Sequence, residues 1–527
     1  MPRFQKRVLA VLLLAVLVSL LGSGASRAQR SSPARPKLVL LIVVDQFRYD
    51  YLTRWRDQYT GGIYRLLTRG AVFTGAHHEH YPTVTAVGHA TLLSGATPAL
   101  SGIMGNDWYD RESGKQVTSV SDESVQLLGG SPETGSSPRR MLVSTLGDEL
   151  KMANGGASRV IGISLKDRSA ILPVGHTADA AYWFDNKTGN FVSSTYYFSD
   201  LPAWVKAVNQ KRPADQYAGK KWEVPGERNA RMLQMPPAAG PALYEAVYNS
   251  AFGNDLLAEF AQQVLAAEKL GQRGVTDVMS VSFSSNDAVG HLVGPDSPAV
   301  RDISVRTDRL IETLLAQIDQ TIGLGQVLVI LTSDHGVAPL PELLRQRKLP
   351  GGRMESAALF NPIQEALDKT YGSGKWILAT AGTSPYLNHA LIAARELDLA
   401  EVRRVAARAA APVPHVLRVY TWNQLQEGET NGDLFSQRVL RSFNPERSGD
   451  LEILLEPYWI RASTGATHGT PYSYDTHVPL IIMGAGVRPG RYSQNVSMND
   501  LAPTLATLLE VETPNGSVGR VLHEILQ

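Results

Sequence analysis

The 527-residue chain contains no cysteine. That absence removes a disulfide framework, a cysteine nucleophile, a thiolate-bound zinc or iron–sulfur centre and a lipidated N-terminal cysteine. Net charge is nearly absent as well, since 51 Lys and Arg stand against 50 Asp and Glu. The chain therefore has no global attraction for nucleic acid or anionic membrane, and neither is expected as a dedicated partner. Long hydrophobic runs are scarce too: the stretch Val8 to Leu21 has 14 residues, short of the roughly 20 that span a bilayer. No internal repeat is found. Any metal chemistry falls to histidine and carboxylates.

What is present begins with a targeting pattern. Arg3, Lys6 and Arg7 precede the apolar stretch, and small residues ending at Ala28 follow it. This is the three-part layout of a secretory leader, read as residues 1–28 with cleavage after Ala28. Losing Arg3, Lys6, Arg7 and Arg27 takes the formal charge from +1 to −3. The mature protein is expected to be exported, periplasmic or secreted, and free of the membrane.

Apolar strand-like runs alternate with helix-period segments, which predicts an α/β fold with a mostly parallel sheet between helical layers. The runs are Lys37–Val44, Arg159–Leu165, Asp277–Phe283, Val327–Leu331 and Val478–Met483. Between the third and fourth, Val300, Ile303, Leu310, Leu314 and Ile318 recur at close to 3.6 residues, with Gly323 and Gly325 as the stop. Residues 29–527 are read as one catalytic domain with insertions at about 178–248 and 339–458, where the strand-helix rhythm is lost.

In open parallel sheets the ligand site lies beyond the carboxyl ends of the strands. A single carboxylate there is ordinarily a turn or cap residue. Here the feature repeats: Asp45, Lys166-Asp167-Arg168, Asn286-Asp287 and Ser333-Asp334-His335 each follow an apolar run. Asp287 and His291 are four apart, so one helical turn places both on one face. With Asp45, Asp334, His335 and a further histidine, the oxygen and nitrogen donors suffice for two metal ions and suit a catalytic zinc pair. Such a pair, about 4 Å apart, can hold both the attacking and the leaving oxygen of a displacement at phosphorus.

The segment Tyr81-Pro82-Thr83-Val84-Thr85-Ala86-Val87-Gly88-His89 reads as a turn entering a helix. A hydroxyl there gains the positive end of the helix dipole, and metal coordination would activate it as a nucleophile. The commoner role for Thr83 or Thr85 is simply to cap the helix.

Taken in order, Asp45, Thr85-x-x-Gly88-His89, Gly105-Asn106-Asp107-Trp108-Tyr109-Asp110, Lys166-Asp167-Arg168, Asp287-x-x-x-His291, Asp334-His335-Gly336 and Thr467-His468-Gly469 resemble the alkaline phosphatase superfamily. The likeness is greatest to its PafA-type alkaline phosphatases, which use a threonine nucleophile. The resemblance implies a zinc-dependent phosphate monoester hydrolase acting on small-molecule phosphate esters with two zinc ions. Asp287, His291 and His468 would hold one ion; Asp45, Asp334 and His335 would hold the other, with Thr85 approaching it. Thr85 would form a phosphothreonine, while Asn106, Lys166 and Arg168 would bind the remaining phosphoryl oxygens. Lys166 and Arg168 are two apart and, on an extended segment, point the same way. The family pattern puts the nucleophile four residues before His89, hence Thr85 rather than Thr83, and leaves His89 a supporting role. His468 is preferred to His477 for its Thr-His-Gly setting. Sulfatases of the superfamily need a Cys or Ser in a C/S-x-P-x-R motif at the nucleophile position, where this chain has Thr85-Ala86-Val87-Gly88-His89. A phosphodiesterase or nucleotide pyrophosphatase is the alternative, and a catalytically inactive exported binding protein a more distant one.

Overall fold

The computed structural model describes residues 35–226 and 233–527. The leader read at 1–28 lies outside the described residues. Eleven strands form one sheet: β1 Leu38–Val44, β2 Ala71–His77, β3 Ser121–Leu128, β4 Thr134–Ser136, β5 Val160–Ser164, β6 Ala180–Asp185, β7 Asn190–Ser194, β8 Asp277–Phe283, β9 Val327–Thr332, β10 Leu480–Gly484 and β11 Gly490–Ser497. Side by side they run β11-β2-β10-β9-β1-β8-β5-β6-β7-β3-β4.

Strand β1 explains the layering. All seven of its residues are buried, and alternate side chains enter two different cores. Leu38, Leu40, Ile42 and Val44 join one; Val39, Leu41 and Val43 join the other. A continuous apolar run is the signature of a strand covered on both faces. The first core takes in Ile303, Ile311, Leu314 and Ile318. The second takes in Leu92, Leu93, Leu146 and Leu505. The result is a sheet between two helical layers.

Four helices position the site: α1 Thr85–Ser94, α2 Asp167–Ile171, α3 Ser285–Val293 and α4 Pro298–Thr321. Helix α4 is the crossover between β8 and β9. Its apolar face runs through Val300, Ile303, Ile311, Leu314, Leu315 and Ile318, with Leu310 packed only partly against the core. Gly323 (φ 86°) follows its end.

The sheet is mixed rather than mostly parallel. Strands β9, β1, β8, β5 and β6 are parallel to their neighbours. Beyond them β10 runs antiparallel to β9, and β7, β3 and β4 pair antiparallel. The reversal at β6–β7 follows from its short connection, because a four-residue link makes a hairpin but no crossover. These two strands also mean that the segment 178–248 is not wholly set apart, since it opens with a continuation of the sheet. The segment 339–458 builds a core of its own around Leu359, Ile363, Trp376, Val402 and Ile453, including a pair of antiparallel strands, Val416–Thr421 and Leu451–Leu455. Residues 35–527 form one unit.

Candidate active site

The four adjacent strands β9, β1, β8 and β5 end level with one another. Val44 lies beside Phe283, Val43 beside Thr332 and Ser282 beside Ser164. Asp45 follows β1 directly, Lys166 closes the turn after β5, Asp287 sits in the first turn of α3, and Asp334 and His335 follow β9. All five are buried. Flush strand ends thus gather residues that are far apart in sequence.

Lys166 Nζ lies 2.6 Å from Asp45 Oδ2 and 2.7 Å from Asp287 Oδ2. Its ammonium is held well above the usual lysine range, because the two carboxylates outweigh burial. Asp45 moves the other way: burial and then Asp334 push its carboxyl well up, against the pull of Lys166. Asp287 and Asp334 are drawn below the usual range, as His291 and Lys166 outweigh burial at the first, and His335 and His89 at the second. Three carboxylates here face one ammonium, a formal −2 in a buried site.

Three histidines turn the same edge inward. The Nδ1 atoms of His291, His335 and His468 lie 2.8, 2.9 and 2.8 Å from the carbonyls of Ala466, Gly336 and Thr83. Only a protonated Nδ1 can donate there, so each Nε2 faces the carboxylates. His291 Nε2 is 3.1 Å and His468 Nε2 3.5 Å from Asp287 Oδ1. His335 Nε2 is 3.5 Å from Asp45 Oδ1 and 3.4 Å from Asp334 Oδ2. Burial pushes His335 and His468 toward their neutral forms, whereas Asp287 overcomes burial and raises His291. Two donor groupings, Asp45, Asp334 and His335, and Asp287, His335 and His468, each have donor atoms within 4.8 Å of one another. His335 therefore stands in both groups, its ring stacked 3.5 Å from that of His468; His291 joins through Asp287. His477 is elsewhere, stacked on Tyr49 and His77.

Thr85 is the first residue of α1, after extended Val84. The cap position belongs to Val84, and the side-chain contacts of Thr85 lie across the site instead. Its Oγ1 lies 3.4 Å from His335 Nε2 and 3.5 Å from Lys166 Nζ, at the positive end of the helix. Thr83, in contrast, donates its hydroxyl to the Thr470 carbonyl at 2.8 Å. The Thr85-x-x-Gly88-His89 spacing acquires a physical reason here. A Cβ on Gly88 would stand 2.2 Å from the carbonyl oxygen of Asp334, so only glycine lets α1 lie against that backbone. His89, fully buried, has Nδ1 2.8 Å from the Thr85 carbonyl and Nε2 2.8 Å from Ser282 Oγ. Its ring edge also lies 3.2 Å from Asp334 Oδ2.

Asn106 Oδ1 accepts the Ala86 N–H at 2.9 Å. This fixes the amide, leaving its NH2 directed away from α1. Lys166 and Arg168 are not on an extended segment: Lys166 caps α2 and Arg168 lies within it. Burial raises the Tyr248 phenol, and the charges of Lys166 and Arg168 both oppose that rise. Arg168 Nε is buried without a hydrogen-bond partner.

Sequence reasoning missed Gln46, whose Nε2 donates to Asp287 Oδ1 at 2.5 Å and whose backbone N–H lies 3.2 Å from Asp334 Oδ1. It adopts φ 63°, a left-handed conformation that costs a non-glycine residue about 1 to 2 kcal/mol. Its place next to Asp45 was its only signal in the sequence.

Flush strand ends, inward carboxylates and Nε2-facing histidines around a helix-start threonine define a metallohydrolase-type centre. The profile of the family described as type I phosphodiesterase / nucleotide pyrophosphatase matches residues 39–477, and the chain belongs to that family, within the alkaline phosphatase superfamily. It is similar over nearly its whole length to three bacterial proteins. Alkaline phosphatase PafA of Elizabethkingia meningoseptica is 35% identical over 542 residues, with 98% of both chains covered. Alkaline phosphatase PhoV of Synechococcus elongatus is 36% identical, with 94% of both covered. A protein of Myroides odoratus named calcium-transporting ATPase is also 36% identical, covering 94% of this chain and 95% of its own. The crystal structure of PafA superposes with a TM-score of 0.86 at 33% identity, over 94% of this chain and 99% of that one.

Proposed function

We propose that the protein is an exported, divalent-metal-dependent alkaline phosphatase that hydrolyses phosphate monoesters through a phosphothreonine at Thr85. The observation that carries this reading is the position of the Thr85 hydroxyl, at a helix start and facing Lys166 and His335. The donor set fits metal on independent grounds. Three imidazole Nε2 edges face carboxylate oxygens at 3.1 to 3.5 Å, Asp45 Oδ1 is buried with no hydrogen-bond donor, and three carboxylates gather around a single ammonium. Divalent cations satisfy all three conditions, and oxygen and nitrogen donors without sulfur favour zinc.

Two zinc ions are assigned, to Asp287, His291 and His468, and to Asp45, Asp334 and His335, the last shared in reach between them. When bound, the metal pair would lower the pKa of the threonine hydroxyl and neutralise charge on the ester oxygens. The chain's own groups do the rest. Thr85 Oγ forms a bond to phosphorus as the bond to the ester oxygen breaks, and the alcohol leaves with a proton. Water then attacks the phosphothreonine, releasing inorganic phosphate and restoring Thr85. Asn106 Nδ2, Lys166 and Arg168 supply donors to the non-bridging oxygens, which carry charge throughout. His89 holds α1 against the sheet through Ser282, and Gln46 orients Asp287.

A monoester dianion leaves two charged oxygens to be met by Lys166 and Arg168. A diester offers one fewer, at about 1 to 3 kcal/mol per lost charged hydrogen bond, which favours the monoester reading over a phosphodiesterase. The test is kcat/KM for a monoester and a diester of one leaving group on metal-replete protein. A monoester preference of roughly 100-fold or more is expected; a diester preference would overturn the reading. Among the described residues no helix is long and apolar enough to cross a membrane, and this activity requires none.

A further inference from the structure

A cavity of about 370 Å³ opens beside the nucleophile and is walled on its far side by the segment 339–458. Val84, Asn106 and His468 line its near end; Tyr81, Thr383, Ser384, Glu452, Trp459 and Arg461 belong to its far side. The near end adjoins the place where phosphorus must sit to meet Thr85. The far side is therefore where the alcohol portion of an ester would lie.

Most arginines of the neighbouring segments are paired with an acid or bonded to backbone: Arg395 holds the carbonyls of Tyr371, Gly372 and Ser373, and Arg447 those of Gly102 and Arg140. Arg353 pairs with Glu342, Arg403 with Asp450, Arg418 with Asp433, and Arg438 with Glu79. Arg461 is different. Its Nη2 bonds the Ser356 hydroxyl at 2.7 Å and its guanidinium lies over Phe360, but it has no carboxylate partner among the described residues, and its Nε is buried without a hydrogen bond. Burial lowers its pKa with only the Tyr81 phenol in opposition. Two acids also border the cavity: Glu452 accepts the Ser384 hydroxyl, and Asp107 accepts Gln116 Nε2 at 2.7 Å. A half-desolvated guanidinium facing a ligand-sized cavity gains most from a carboxylate or phosphate, to which its planar fork is matched.

We infer that this cavity is the leaving-group subsite, with Arg461 its specificity-determining residue, and that it selects phosphate monoesters whose alcohol carries a second anionic group. The inference rests on the phosphatase reading above. Its test compares phenyl phosphate with 3-carboxyphenyl phosphate, taking the ratio of kcat/KM, carboxylate over neutral. In the unaltered enzyme the ratio should exceed one, with the difference in KM. In Arg461→Gln it should fall about 10- to 100-fold, the value of one charged hydrogen bond, and Arg461→Lys should restore part of it. A ratio at or below one in the unaltered enzyme, or one that Arg461→Gln leaves within twofold, overturns the inference. The measurement on the unaltered enzyme needs no variant to fold. If phenyl phosphate is not hydrolysed but a phenyl diester is, the monoesterase reading fails instead, a result distinct from an unmoved ratio.

Discussion

Replacing Gly88 with alanine adds one methyl group at the closest approach between the helix that carries Thr85 and the strand end that carries Asp334. The new Cβ would meet the Asp334 carbonyl oxygen at 2.2 Å, and the α-carbon and carbonyl carbon of Asp334 at 2.8 Å. Ordinary contact begins near 3.4 Å, so helix and strand end must part by about 1 Å. The atoms struck are backbone, fixed by β9 in the middle of the sheet, and no side chain can swing aside. Overpacking of this kind costs roughly 1 to 3 kcal/mol of stability. A displacement of 1 Å between nucleophile and its activating groups costs on the order of 100-fold in rate. The assay is kcat for an aryl phosphate on metal-replete Gly88→Ala protein, with thermal unfolding alongside. Gly325→Ala serves as the control, because its Cβ would meet nothing within 4 Å. If Gly88→Ala turned over at the unaltered rate, the glycine would not set the spacing between Thr85 and Asp334, and the reasoning would be refuted.

Other outcomes can be stated briefly. Thr85→Ser should retain measurable turnover and Thr85→Ala should lose roughly three orders of magnitude or more; phosphate trapped in acid and mapped to Thr83 would contradict the assignment. Elemental analysis should find two zinc ions per chain, reduced in Asp334→Ala and in His468→Ala together with activity, and full occupancy in both variants would reject the ligand sets. Glu452, pushed up to about 7 from 4.5 chiefly by burial, is destabilising when ionised. Both folded and unfolded forms are protonated below pH 4.5, the penalty grows from there to about 7, and it is complete above, at up to about 3 kcal/mol. Glu452→Gln should thus raise the melting temperature at pH 8 and leave it unchanged at pH 4.5; an equal shift at both would show another cause.

The strands read from sequence and those in the structure differ by a residue or two, and for one reason. Asp277–Phe283 and its neighbours are buried throughout because both faces are covered, and such runs have abrupt ends. The strands toward the sheet margins were illegible for the converse reason. Ser121–Leu128 and Gly490–Ser497 are largely exposed and polar, and carry neither a continuous nor a cleanly alternating pattern. The parallel core was therefore foreseeable and the margins of the sheet were not. At the site, residues directly after apolar runs could be picked out individually. Their mutual distances could not: that His335 lies between both donor groups, that Lys166 bridges Asp45 and Asp287, and that Gln46 reaches Asp287 all depend on how far each strand is offset from the next. The glycine of the helix motif appeared in sequence only as spacing, and its reason is a contact with residue 334.

The six carboxylates and imidazoles proposed as ligands begin at Asp45 and end at His468, and this span has a consequence for how the protein matures. No fragment emerging early from the ribosome can assemble either donor group, because His468 Nδ1 is steadied by the carbonyl of Thr83 and β1 finds its neighbours in β8 and β9, more than 200 residues later in the chain. Contacts so distant in sequence form late and slowly. Cation capture would then be one of the last events of folding rather than its nucleus, with the energy of binding added to a sheet already closed. A chain exported before it folds would meet its metal only at its destination, and the ion it retains would be set by what that compartment supplies.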